Sequence, residues 1–292
     1  MLKTLKKATS IVLALAMSLT MFVSGTVGAS ALLLDKGGIY QTDFDTREDA
    51  LAAADELNTL LAAEGDVLLK NDGTLPLFGG EKISVFGGMQ RNLVGASGDK
   101  LLDVLRAEGF RVNPALEGFY SSNGTIGTER INFNQKQEQS LDLYNDLAII
   151  VLSRTGSEGA DPNRVTNEIE DDMDAEGNDY GWRHEALGHY GAFENGKGYV
   201  ISDPDNYYKH YLEITDSEEE LLAYVKARFS KIVVILNTSN AMEMANLQND
   251  DAINAILWIG RPGSTGLKAL GQILTGEVNP SGKLVDEWNR DF

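Results

Sequence analysis

Apolar residues along the chain fall into two kinds of pattern. Thr46 to Glu64 repeats at spacings of three and four: Ala50, Ala53, Ala54, Leu57, Leu60 and Leu61 stack on one side of a helix. Thr46 with Asp49 forms a capping-box signature, and Gly65 supplies a stop. Ser217 to Phe229 repeats the pattern with Leu221, Leu222, Val225 and Phe229 on one face, opened by a Thr215–Glu218 capping box. Gly98 to Glu108 and Gly263 to Leu274 are predicted helices. The second pattern is the uninterrupted apolar run. Lys82–Phe86, Leu147–Leu152, Ile232–Leu236 and Ala255–Ile259 read as strands, and Phe110–Val112 as a shorter one. Val67–Leu69 begins another apolar stretch, broken at Asn71-Asp72-Gly73. Runs without alternation suit strands covered on both faces, as in a parallel sheet under helices.

Strands alternating with helices predict an α/β fold, a three-layer sandwich with a mostly parallel central sheet. Function in such sheets gathers where loops leave the C-terminal ends of strands. The loops after Phe86, Leu152, Leu236 and Ile259 are therefore the ones to search. Asp161 to Tyr211 breaks the pattern: polar, Gly-rich and aromatic-rich, it reads as an irregular insertion.

The first 31 residues stand apart from this organisation. Lys3, Lys6 and Lys7 precede an uncharged apolar run from Ser10 to Val23, and Ala29-Ser30-Ala31 provides a small-x-small cleavage site. Residues 1–31 are therefore expected to be a secretory signal peptide, the alternative being an uncleaved N-terminal anchor. A secreted or cell-surface location follows. No later run is long enough for a membrane span. Residues 32–292 are expected to form the folded domain.

Composition narrows the chemistry. The 292 residues carry 25 Lys and Arg against 44 Asp and Glu, a formal charge of −19. Losing the leader's three lysines takes it to −22. That balance argues against nucleic-acid partners and anionic membranes. The absence of cysteine excludes disulfides and thiolate metal sites. The acidic run Glu168, Glu170, Asp171, Asp172, Asp174, Glu176 and Asp179 lacks calcium-loop spacing and reads as a solvated loop. His184 and His189 lie five apart, on different faces of any helix, so no metal is expected there. Phe86-Gly87-Gly88 completes no phosphate-binding pattern. No cofactor is expected. The aromatics Tyr180, Trp182, Phe193, Tyr199, Tyr207 and Tyr208 could stack on sugars or pack the insertion onto the sheet.

The stretch after the second long apolar run holds the candidate chemistry. Glu158 sits in a loop between Gly156 and Gly159, at the end of a buried strand. A carboxyl held there suits general acid work. A solvated turn carboxylate would carry the same sequence.

Five blocks in order bear on that choice. They are Ala62–Leu77 with Ile83–Gly88, Ser153–Asp161 (SRTGSEGAD), Ile232–Thr238, Ile256–Gly266 and Gly276–Leu284. Together they resemble the C-terminal-type α/β sandwich domain of glycoside hydrolase family 3. The resemblance implies a retaining β-glycosidase, β-glucosidase-like, acting on terminal β-linked sugars. It implies that Glu158 is the acid/base carboxyl. It also implies a nucleophile aspartate on a separate (β/α)8-type barrel, which these blocks do not include. The leader runs almost directly into the sandwich, which resembles members with the reversed domain order. A barrel downstream or in trans is therefore the expected partner, beside a β-linked oligosaccharide or glycoside. A non-catalytic carbohydrate-binding or assembly module, or an inactive truncated product, is the alternative. The small-residue run Gly95–Gly98 is shorter than the family's.

Overall fold

The computed structural model describes residues 43–120, 129–156, 193–194, 197–198 and 212–290. The chain divides into two compact units, Met1–Asn58 and Thr59–Phe292. Of the first, residues 43–58 are described, and they consist mainly of the opening turns of helix α1 (Arg47–Gly65). Thr46 caps that helix: the Asp49 N–H donates to its Oγ1 at 3.1 Å, and the hydroxyl donates to the Asp49 carboxylate at 2.7 Å. The helix forms where its periodicity predicts, but only Ala63 of its residues is buried. Leu60 and Leu61 stay about half exposed, at 54% and 46%.

The second unit is built on a six-stranded sheet. Its strands are β1 (Val67–Asn71), β2 (Lys82–Phe86), β3 (Arg111–Val112), β4 (Leu147–Ser153), β7 (Ile232–Asn237) and β8 (Ala255–Trp258). Their order is β1-β8-β7-β4-β2-β3. Every neighbouring pair is parallel except β1 with β8, which run antiparallel at one edge. A separate pair, β5 (Phe193–Glu194) and β6 (Lys197–Gly198), is antiparallel. It is the described part of the insertion. The acidic run, His184 and His189, and residues 1–31 lie outside the described residues.

Period-two geometry explains how unbroken apolar runs serve two cores. Leu147, Ile149 and Val151 of β4 join Val233 and Ile235 of β7 on one face. Ala148, Ile150 and Leu152 join Ile232, Val234 and Leu236 on the other. All these side chains are fully buried. The first face is covered by α2 (Leu101–Ala107), through Leu101, Leu102, Val104 and Leu105, and by α7 (Gly266–Thr275). The second is covered by α3 (Pro114–Phe119), α4 (Gln135–Leu143) and α5 (Asp216–Lys226). Each buried Leu or Ile contributes about 1.5–3 kcal/mol, which makes these two faces the main source of stability. A short α6 (Ala245–Gln248) lies between β7 and β8. The sandwich with its largely parallel sheet is as the sequence predicts.

Helices α3, α4 and α6 carry weak apolar periodicity, and sequence patterning does not announce them. Local capping builds two of them. Asn113 accepts the N–H groups of Ala115 and Leu116 ahead of Pro114 at the first turn. Asn134 and Gln137 form a reciprocal capping box at the start of α4.

Candidate functional site

The connections after β2 and β4 depart to opposite faces. β2 continues into α2 on the first face, and the path from β4 reaches α5 on the second. The order in which strands are added therefore switches between two adjacent parallel strands, β2 leading outward to β3 and β4 the other way to β7, and the C-terminal ends of such a pair are where a crevice is expected. The loops after β7 and β8 share the same edge of the sheet. All four loops singled out from sequence meet here.

Asn237, the last residue of β7, ties three of them together. It is wholly buried. Its amide nitrogen donates to the carbonyls of Val94 (2.9 Å) and Gly260 (2.7 Å). Its amide oxygen accepts from the Val94 N–H (2.6 Å) and from Ser153 Oγ (3.1 Å). One side chain thus fixes the β2 loop, the end of β4 and the β8 loop. Beyond it, Ala96 and Gly263 bridge in parallel, and Ser97 N–H donates to the Gly263 carbonyl at 2.8 Å. The β2 loop opens at Gly87, whose φ of 113° favours glycine. A Cβ there would lie 2.4 Å from the Val151 carbonyl oxygen, so the close approach of the β2 end to β4 also requires it.

The β4 loop is anchored from below by Arg154. This side chain is entirely buried, and so is Glu218 opposite it. Nη1 and Nη2 each donate to a Glu218 oxygen at 2.6 Å. They also reach the carbonyls of Ser153 (2.9 Å) and Glu213 (2.7 Å). Planar guanidinium and carboxylate match in such a two-bond fork. Further out, Asn240 Nδ2 reaches the Thr155 carbonyl and Arg261 Nη1 the Gly156 carbonyl, each at 3.4 Å. Thr155 and Gly156 are thus held by the β7 and β8 loops.

Glu158, two residues past Gly156, lies outside the described residues. The root of its loop, Thr155 and Gly156, is described. Glu129 is buried beside the first turn after β2. Its Oε2 accepts the Gly88 N–H at 2.7 Å, and its own N–H donates to Ser217 Oγ at 2.9 Å. Burial, with the Glu218 carboxylate adding to it, pushes its carboxyl up to about 7 against the pull of the Gly88 N–H, Arg154 and Arg130. Beside it the phenol of Tyr120 is also raised, mainly by burial. Among the described residues no group of three His, Cys, Asp or Glu converges as a metal site. No helix among them is long and apolar enough to cross a membrane.

Sequence reasoning finds the right loops but misses these supports. Asn237 and Arg154 carry a recognisable signal: Asn237 ends the run of buried apolar positions Ile232–Leu236, and Arg154 comes one residue after Ser153, which ends the run Leu147–Leu152. Glu218 is visible only as a capping-box residue. Glu129 stands in a polar stretch with no pattern to mark it.

A mostly parallel sandwich with a knitted loop edge at a switch point defines an α/β domain whose loops gather at the C-terminal ends of its strands. Its family is shown by sequence: residues 66–292 match the glycosyl hydrolase family 3 C-terminal domain, and the chain belongs to that family. It is 29% identical to Beta-glucosidase A of Butyrivibrio fibrisolvens over 260 residues, covering 79% of this chain and 28% of that protein. It is 24% identical to Probable beta-glucosidase L of Aspergillus terreus over 269 residues, covering 90% of this chain and 33% of that protein. The fold superposes on beta-glucosidase 3B from Thermotoga neapolitana in complex with glucose with a TM-score of 0.60 at 22% identity, covering 83% of this chain and 32% of that one. Beta-glucosidase from Listeria innocua in complex with isofagomine gives 0.51 at 16% identity, covering 83% and 28%. The chain thus spans about a third or less of the relatives it matches.

Proposed function

We propose that this chain supplies the acid/base carboxyl of a secreted retaining β-glycosidase, β-glucosidase-like, that hydrolyses terminal β-linked sugars, and that Glu158 is that carboxyl. The observation that carries the reading is the position of the Ser153–Asp161 motif. In a chain of this family, the motif begins at the Arg154-anchored root of the loop after β4, on the switch-point edge.

Retention requires two carboxyl groups about 5 Å apart, one nucleophile and one acid/base. In this reading an aspartate on a barrel domain, in cis or in trans, attacks the anomeric carbon. Glu158, initially protonated, gives its proton to the departing glycosidic oxygen. The resulting carboxylate then removes a proton from the water that releases the sugar. The negative nucleophile beside it, together with burial, would raise its pKa for the first step. Rigid anchoring of Thr155 and Gly156 suits this role, because the acid must approach the leaving oxygen within hydrogen-bond reach. No cofactor enters the reaction.

The test is Glu158→Ala in the enzyme complete with its barrel. Turnover of a β-glucoside with a poor leaving group is expected to fall by roughly 10²–10⁴-fold. A dinitrophenyl glucoside, which needs no acid to depart, should be much less affected in the glycosylation step. Azide should restore turnover and yield a β-glycosyl azide. Unchanged hydrolysis of the poor-leaving-group substrate would remove Glu158 from the mechanism.

A further inference from the structure

Glu129 lies outside the five sequence blocks, yet it bridges the loop after β2 and the start of α5. It is 8% exposed. One end of its contacts is the Gly88 N–H, in the first turn after β2. The other end is Ser217, whose neighbour Glu218 forks onto Arg154 in the first residue after β4. Gly88, Glu129, Ser217, Glu218 and Arg154 therefore form a continuous path from one side of the crevice to the other. We propose that Glu129 is a positioning residue: its carboxyl clasps the β2 loop at Gly88, its backbone N–H ties the same residue through Ser217 to the helix whose Glu218 anchors Arg154 and the β4 loop, and the proton on Glu129 sets how tightly the clasp holds. Its bearing on catalysis rests on the reading that the β4 loop carries the working carboxyl; the clasp itself does not.

The surroundings make this carboxyl a poor choice for a passive brace. A neutral side chain could accept the Gly88 N–H without the cost of burying a charge. Glu129 instead lies near Glu218, a second buried carboxylate, and only partly under the influence of Arg154 and Arg130. Tyr120, at the end of α3, lies within electrostatic reach of it, with a hydroxyl that donates to the Arg130 carbonyl and whose own ionisation burial suppresses. The net result is a group that changes charge near pH 7, where an exposed glutamate is fully ionised. Ionised, it accepts the Gly88 N–H in a charge-assisted bond; protonated, it offers a weaker neutral acceptor. The loop after β2 is thus expected to be held more firmly above neutral pH than below it.

Hydrogen exchange of the mature chain between pH 5.5 and 8.5, corrected for intrinsic rates, tests this directly. Protection of residues 87–94 is expected to rise about fivefold through a midpoint near pH 7, the gain of a charge-assisted over a neutral bond. Glu129→Gln should make that profile flat. Glu138→Gln, at the partly exposed ion pair with Arg228, should leave it unchanged. Glu158→Ala should also leave it unchanged, so the clasp can fail or stand separately from the acid/base assignment. A flat profile in the wild type, or a transition that survives in Glu129→Gln, overturns the proposal. If that variant does not fold, carbon-13 titration of the wild-type carboxyl with nitrogen-15 detection of Gly88 decides the matter: the two signals must share one midpoint.

Discussion

Arg154 and Glu218 face each other with both side chains wholly buried and both oxygens engaged by the guanidinium at 2.6 Å. The same Glu218 oxygen that meets Nη2 accepts the Thr215 N–H at 2.9 Å, closing the capping box of α5. A helix start and a loop root are therefore held by one carboxylate.

Removing one partner should be far worse than removing both. Glu218→Ala leaves a buried guanidinium without its counter-charge and opens the capping box. We expect it to cost about 3–5 kcal/mol for the stranded charge and about 1 kcal/mol more for the cap. The double replacement Arg154→Met with Glu218→Leu should recover most of that loss, because apolar substitutes of similar size avoid desolvating two ions. Urea unfolding followed by circular dichroism gives both numbers. A single variant that costs less than the double would contradict the account.

Asp66 should make the fold less stable as pH rises. It is 5% exposed, between the end of α1 and β1, and its Oδ2 has no hydrogen-bond partner. Burial pushes its carboxyl up to about 7. An unfolded chain releases that proton near pH 4 while the folded one keeps it, so stability declines across the window from pH 4 to about 7 and levels off above it. One such group contributes about 4 kcal/mol over that span, at about 1.4 kcal/mol per unit. Asp66→Asn removes the ionisation. The variant should be about 2 kcal/mol more stable than the wild type at pH 8, after the cost of an unpaired amide, and its pH profile should be shallower. The slope that remains includes Glu129, which is shifted in the same direction. Thermal melts at half-unit steps of pH would show both effects.

Asn237→Asp should separate a loss of stability from a loss of size. The oxygen that accepts the Val94 N–H is kept, but a carboxylate oxygen now faces the carbonyls of Val94 and Gly260, which the amide had served as donor. The variant should lose about 2–4 kcal/mol, and more at pH 8 than at pH 5, because the protonated acid can restore one donor. Asn237→Ala should lose a similar amount with no such dependence on pH. Chemical denaturation at the two pH values distinguishes them.

How far the sequence reveals this architecture depends on the kind of force involved. The runs Leu147–Leu152 and Ile232–Leu236 appear as strands almost to the residue, because a strand covered on both faces is mostly apolar and admits polar residues only at its ends. The α5 capping box is equally legible, being a local contact. β1 is harder. Its apolar stretch is partly covered, and its antiparallel partner β8 lies far along the chain. The leucines of α1 mislead in another way: Leu60 and Leu61 share the periodic stripe but remain half exposed. At the switch point, the loops are predictable from topology, whereas the contacts of Glu129 and Asn237 depend on residues scores of positions apart, which no periodicity records.

The antiparallel edge has a consequence for synthesis. Val67 is translated early, but its partner Trp258 is among the last residues of the sheet to exist. At roughly 5–20 residues per second, β1 waits about 10–40 s for β8. Until then it lacks the one partner it has among the described strands, and β8 in turn needs β7 beside it. The ribosome can hand over β2, β3 and β4 as a growing half-sheet, but the closing strand is one that it made first.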